Sequence, residues 1–339
     1  MHIFTNPNYN FLRWRWHAVA VSWVVILAGL FAIYTKGLPK GIEFAGGTSV
    51  IMQFDTTPSV EAVRDALNRN YPGGGQDAVV QSYGDPAVRQ VMVRVPQVGA
   101  EQGTSLSVPA QNVENALRKA NLGNFKVVGT EIVGPSVGDE LTQKGLSAFI
   151  LSLIGILGYI AFRYEFSFAV GAVVATLHDV LVTFAFLAFF RYDLTLNVIA
   201  ALLTVTGYST NDTIVIFDRV RENMRKMRRD SLSEVINISI NQTLGRTVIT
   251  AGTALLSAIA LFLFGGEVLH GFAFTMIVGI VTGTYSSVFV AAAIVTFWRR
   301  TKPSKLSTAS PAAVTAPAAP ARNAASSRKS KSQRKARAS

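Results

Sequence analysis

Six stretches of mostly apolar residues constrain this chain more than anything else in it: 18–34, 146–162, 168–190, 194–217, 248–264 and 272–298. A bilayer core about 30 Å thick needs roughly 20 mostly apolar residues in a helix. One such stretch could be a buried core helix, but six in one chain of 339 residues read as six transmembrane helices. Composition agrees. Half of the residues are hydrophobic, 15% are charged, and the mean hydropathy is positive, whereas a soluble domain carries about a quarter charged residues. Cysteine is absent, which excludes disulfides and cysteine metal sites.

Basic residues in the short loops set the orientation. Arg13 and Arg15 precede the first span, Arg163 follows the second, six basic residues from Arg219 to Arg229 follow the fourth, and Arg299 and Arg300 follow the sixth. With alternating spans all four places fall on one side. Both termini are then cytoplasmic and residues 37–145 lie outside. The first span has a basic start like a signal peptide, but its run is long and no small-residue cleavage pattern follows, so it reads as an uncleaved anchor. The net charge of +12 belongs to the tail, since from Arg299 onward there are eleven Lys and Arg and no acid. It is not the mark of a nucleic-acid-binding face on a folded domain. The organisation expected is an N-terminal segment with the first helix (1–36), an external domain (37–145), helices two to six (146–300), and a disordered basic cytoplasmic tail (301–339).

The external region alternates in a readable way. Residues 48–54, 77–83, 90–95 and 125–133 are strand-like, and 59–68 and 109–120 have apolar residues at helical spacing. The order β-α-β-β-α-β is that of an α+β ferredoxin-like domain. Such a fold hosts many functions. No phosphate loop, metal motif or nucleophile with its base stands out, and the chain is not expected to be an enzyme or to need a cofactor.

Ionisable groups inside spans are costly and tend to mark ion or proton paths. Asp212, flanked by Asn211, lies about five residues from the cytoplasmic end of the fourth span. Arg246 precedes the short fifth stretch, and a helix starting near Ile238 would bring it to the depth of Asp212. Protonating the carboxylate would then break a pair and let the helices shift. His178 and Asp179 near the middle of the third span could extend a relay. These groups could equally join helices by hydrogen bonds or snorkel to the surface. Gly279 and Gly283 form a small-residue packing motif.

Several motifs resemble one family. GYSTNDTIVIFDRVREN at 207–223 resembles the fourth-span signature of the SecF family of protein-export membrane proteins. GIEFAGGT at 41–48, VGPSVG at 133–138, HDV at 178–180 and NQTLGRT at 241–247 agree with it in order and spacing. Glu43 stands where Asp is expected, and Gly245 where Ser is. The resemblance covers about residues 10–300. It implies half of a resistance-nodulation-division architecture in the bacterial inner membrane. The other half would be SecD, with the SecYEG channel and YajC as further partners. Membrane lipids and the translocating polypeptide would be in contact, and no specific nucleic acid. The implied role is to use the proton gradient in late translocation and release of secreted proteins, with Asp212 and Arg246 on the proton path. One proton moving down 100 mV supplies about 2.3 kcal/mol, and no ATP-binding signature offers another source. Two alternatives stay open: a proton-coupled exporter half for small molecules or lipids, and a structural subunit that stabilises SecD without a proton role of its own.

Overall fold

The computed structural model describes residues 7–56, 58–84, 86–96, 107–164 and 166–301. The basic tail from residue 302, and Asp85 in the turn after the second strand, lie outside the described residues.

Helix α1 (Phe11–Lys36) starts at Asn10, whose side-chain oxygen accepts from the Arg13 amide at 3.2 Å, and stops at Gly37 in a left-handed conformation, φ 68°. A short strap leads to the four-residue helix α2 (Ile42–Ala45). Two glycines then turn the chain into strand β1 (Gly47–Phe54). Gly46 and Gly47 have φ of 67° and 116°, and a Cβ on Gly47 would lie 2.4 Å from the carbonyl oxygen of Val95. Only glycine fits both demands at Gly47.

Helix α3 (Val60–Asn70), strand β2 (Val79–Tyr83), strand β3 (Gln90–Val95), helix α4 (Val108–Lys119) and strand β4 (Phe125–Val133) complete the sheet unit. Ser59 caps α3 by accepting from the Ala62 amide at 3.1 Å, and Pro109 sits in the first turn of α4. The four strands form one antiparallel sheet in the order β2-β3-β1-β4. Period-2 alternation puts Val50, Met52 and Phe54 of β1 and Val91, Val93 and Val95 of β3 on one face. There they share a core with Val63 and Leu67 of α3 and Val113 and Leu117 of α4. The elements expected from the sequence are all present, with ends shifted by one or two residues.

The remaining helices are α5 (Pro135–Arg163), α6 (Phe166–Phe190), α7 (Leu196–Lys226), α8 (Leu232–Phe264), α9 (Glu267–Ser286) and α10 (Ala292–Thr301), the last two joined by a π-helical turn, Ser287–Ala291. Five segments are long and apolar enough to cross a membrane: Phe11–Lys36, Ser136–Arg163, Phe166–Phe189, Leu232–Phe264 and Glu267–Trp298. The stretch expected as a fourth span, α7, is long enough but too polar to join that group, because its middle carries Tyr208, Ser209, Asn211 and Asp212. It nonetheless runs the length of the bundle. Its start is bonded to the strap after α1, where the Leu194 amide donates to the Pro39 carbonyl at 2.7 Å. At its other end Asn223 donates to Ser239 of α8 at 2.9 Å. The nearby Asn237 and Asn241 of α8 hold the backbone of Tyr9, just before α1.

Two further boundaries differ from expectation. The stretch 248–264 is the second half of α8, whose polar first half begins at Leu232. The stretch 272–298 is interrupted by the π turn. Small residues bring the helices close. Cβ atoms added to Gly29, Gly171 and Gly279 would lie 2.1, 2.8 and 2.4 Å from Ala185, Val295 and Val205.

Candidate functional site in the helix bundle

Two carboxylates lie inside the bundle, in opposite circumstances. Asp179, in the middle of α6, is 1% exposed. Its Oδ1 pairs with Nδ1 of His178 at 2.9 Å. Its Oδ2 accepts from Ser209 of α7 and, at 2.7 Å, from Ser286 at the end of α9. One side chain thus joins three helices at the level where Gly283 of α9 meets Ser209. A Cβ on Gly283 would lie 2.9 Å from the Ser209 Cβ, so only glycine allows this approach without a shift. The π-helical turn begins at the residue after Ser286, and such turns occur often at functional positions. His178 is buried with its Nε2 unpartnered, and its ring lies 6.3 Å from that of Tyr285.

Asp212 sits three residues beyond Ser209 on α7, about 4.5 Å further along the axis. It is 3% exposed, and its Oδ2 has no hydrogen-bond partner. The hydroxyls of Thr213 on α7 and of Thr247 on α8 are buried and unpartnered as well. Buried polar atoms are normally satisfied, and in this Asp212 differs from Asp179. Arg246 of α8 exerts a Coulombic pull on Asp212. The two form no ion pair within 4.0 Å among the described residues, and Arg246 is exposed on the outer face of α8. Asn211 is exposed too.

Arg246 and Asn211 belong to two exposed stripes, one of small and polar residues on α7 and one of polar residues on α8. On α7, Ala200, Thr204, Gly207 and Asn211 are exposed, and on α8, Gln242, Arg246, Thr250, Thr253 and Ser257. Spacings of three and four keep each set on one helix face. A face of this kind does not suit lipid. At the end of the bundle near Tyr9, Gln242 accepts from Asn223 at 2.8 Å and from Arg219 at 2.6 Å. This fixes the α7–α8 hairpin one turn before Arg246.

The structure therefore brings Asp179 and His178 together, links Asp179 to the Asp212 helix, and sets Arg246 on a facing helix without contact. Sequence reading missed Ser209, Ser286 and Thr247. Each has other hydroxyl residues close by in the sequence, and only its three-dimensional surroundings single it out. Ser209 alone could have been found, by its i, i+3 spacing to Asp212. Sequence reading also missed the ties at the far end of α7. There Arg94 of β3 pairs with Asp193 at 2.8 Å, and Glu43 accepts from the Leu196 amide at 3.4 Å.

The fold and site define a multi-pass α-helical membrane protein with an α+β unit outside the bundle and buried carboxylates within it. A family model for the protein export membrane protein SecD/SecF, C-terminal, matches residues 112–301, and the SecD/SecF GG motif matches residues 31–58. Protein translocase subunit SecF of Vibrio alginolyticus is 43% identical over 285 residues, 84% of this chain and 88% of that protein. The subunit of the same name from Escherichia coli O157:H7 is 38% identical over 286 residues, 84% of this chain and 86% of that one. The chain belongs to the SecF family. Among solved structures, SecDF of Thermus thermophilus, a translocon-associated membrane protein, superposes with a TM-score of 0.76 at 34% identity over 87% of this chain. The match spans 39% of that chain, and 40% of SecDF in its super-membrane-facing form, where the TM-score is 0.63.

Proposed function

We propose that this chain is a six-span subunit of the Sec machinery that works with SecD and uses the proton gradient to assist late translocation and release of secreted proteins. In this reading α7 joins the five apolar segments as the fourth of six spans. The polar faces of α7 and α8 turn toward the helices of SecD rather than toward lipid, and the sheet unit is a ferredoxin-like domain on the outer side of the bacterial inner membrane. Both termini are cytoplasmic, in keeping with the basic residues beside α1 and between α7 and α8. SecYEG and YajC are further partners by family resemblance. The chain is a transport subunit and not an enzyme.

The observation that carries the proton role is Asp212: a buried carboxylate in mid-helix with an unpartnered oxygen, within the field of Arg246 but not paired to it. Such a group is costly while charged and is free to exchange a proton without first breaking a salt bridge. Asp179, held by two serine hydroxyls and His178, serves as the fixed hydrogen-bonded neighbour along the same path. The SecF relatives and the likeness to translocon-associated SecDF support the Sec assignment. The length of the SecDF chains, of which this chain spans about two fifths, supports SecD as the missing part.

The test is gradient-stimulated release of a secreted protein from membranes carrying Asp212→Asn, with insertion and SecD association measured in parallel. Loss of the stimulation with the complex intact is expected. Unchanged stimulation would remove the proton role from this residue.

A further inference from the structure

Three parts of the chain converge at the outer end of α7. The strap 37–41 runs past the loop 191–195, and the two are paired through their backbones. The Leu194 amide donates to the Pro39 carbonyl and the Gly41 amide donates to the Leu194 carbonyl, each at 2.7 Å. This is a one-residue parallel bridge between Lys40 and Leu194. The approach is so close that a Cβ on Gly41 would lie 2.8 Å from the Leu194 oxygen. Arg191 reaches back to the carbonyls of Lys36 and Gly37 at 3.2 and 3.3 Å. Glu43 accepts from the Leu196 amide, which places a carboxylate at the positive end of α7.

Arg94 joins this junction to the sheet. One guanidinium nitrogen donates to the Lys40 carbonyl at 2.7 Å and the other to Asp193 Oδ2 at 2.8 Å. Both side chains are largely buried, 11% and 17% exposed. Arg94 lies on β3, an inner strand, and stands in register with Ser49 of β1 and Val79 of β2. A force at Asp193 therefore enters the sheet through an inner strand, not an edge. Units joined by a short linker move independently by default. Here a two-pronged, charge-assisted contact and a paired backbone oppose that freedom just before the cap of the helix that carries Asp212.

We propose that Arg94 and Asp193 pin α7 to the extramembranous sheet, so that helix and sheet move as one rigid body during gradient-driven work. They are positioning residues acting through α7. The inference rests on the proton role of Asp212 proposed above, and its test separates the two. Release with and without a gradient is measured for Arg94→Ala, Asp193→Ala, and the charge exchange Arg94→Asp with Asp193→Arg, at matched levels of assembled complex. Asp212→Asn serves as the reference.

The gradient-stimulated part should fall about tenfold in each single variant, the scale of one lost charge-assisted hydrogen bond. The gradient-independent part should stay unchanged, and the exchanged pair should recover part of the loss. Because the chain lacks cysteine, Lys40→Cys with Leu194→Cys gives a second arm that keeps the junction intact. Oxidation should leave stimulation in place if the junction travels as one body. Full stimulation in both single variants, or its loss on oxidation, would overturn the pin. If Asp212→Asn keeps its stimulation, it is the proton reading that fails. The oxidised cysteine pair and the single variants still report whether the junction is needed for release.

Discussion

Substituting Gly279 by alanine should pull α7 and α9 apart. A Cβ there would lie 2.4 Å from both methyl groups of Val205 and 2.9 Å from its Cβ, more than 1 Å inside the roughly 3.5–4.0 Å at which carbon atoms attract. In an exposed helix the same change would stabilise by about 0.8–1 kcal/mol, so the sign of the result decides whether the close approach is real. Overpacking of this kind costs about 1–3 kcal/mol. The separation also strains the Ser209 and Ser286 bonds to Asp179 one turn away, and bonds of this kind between membrane helices are worth about 0.6 kcal/mol each. With the propensity gain subtracted, a net loss of about 1–3 kcal/mol follows. The assay is reversible unfolding in mixed micelles of increasing denaturing detergent, with Gly252→Ala as control, because nothing lies within 4 Å of a Cβ at that position. Val205→Ala removes the two clashing methyls. The double variant Gly279→Ala, Val205→Ala should therefore lose less than the sum of the single changes, a coupling that a double-mutant cycle isolates. Gly279→Ala as stable as Gly252→Ala, or strict additivity with Val205→Ala, would refute the packing argument.

Other outcomes follow from the same contacts. Met52→Ala empties a fully buried site in the sheet core and should cost about 2–5 kcal/mol, read by thermal unfolding of the sheet. Ser59→Ala removes the cap of α3 and should cost about 1 kcal/mol in the same assay. Glu222, exposed near the C-terminal end of α7, has its pKa held below the usual 4.5 by hydrogen bonds from Lys226 and Arg219. A lowered native pKa means that its contribution to stability is present above 4.5 and is lost as pH falls through the native value. Glu222→Gln should flatten that part of an acid titration, and an unchanged titration would show the pairs to be loose.

The sheet unit was legible in the sequence because period-2 alternation leaves little freedom. Val50, Met52 and Phe54 can face one way only. The apolar helices were legible by length. The polar half of α8 was legible only in part: a helix from near Ile238 could be drawn, but its start at Leu232 could not, nor could the contacts of Asn237, Asn241 and Gln242 with Tyr9, Asn223 and Arg219. The break after Ser286 was hidden too, because Ser287–Ala291 is as apolar as its surroundings. Asp179 and Asp212 could be picked out as ionisable groups in apolar runs. Their contrast, one satisfied and one not, depends on hydroxyls from other helices. The junction at Leu194 is made largely of backbone bonds, which no side-chain pattern encodes.

The clasp that Asn237 and Asn241 place on the backbone of Tyr9 sets an order of events during synthesis. Its halves are up to 232 residues apart in the chain. At about 5–20 residues per second a ribosome needs roughly 10–45 s to make the second half after the first. For that interval the entry to the first helix has no permanent partner for its amides and carbonyl. The N-terminal end of this first helix is thus fastened later than its other end and the strap beyond, which meet Ala185 and Leu194 first.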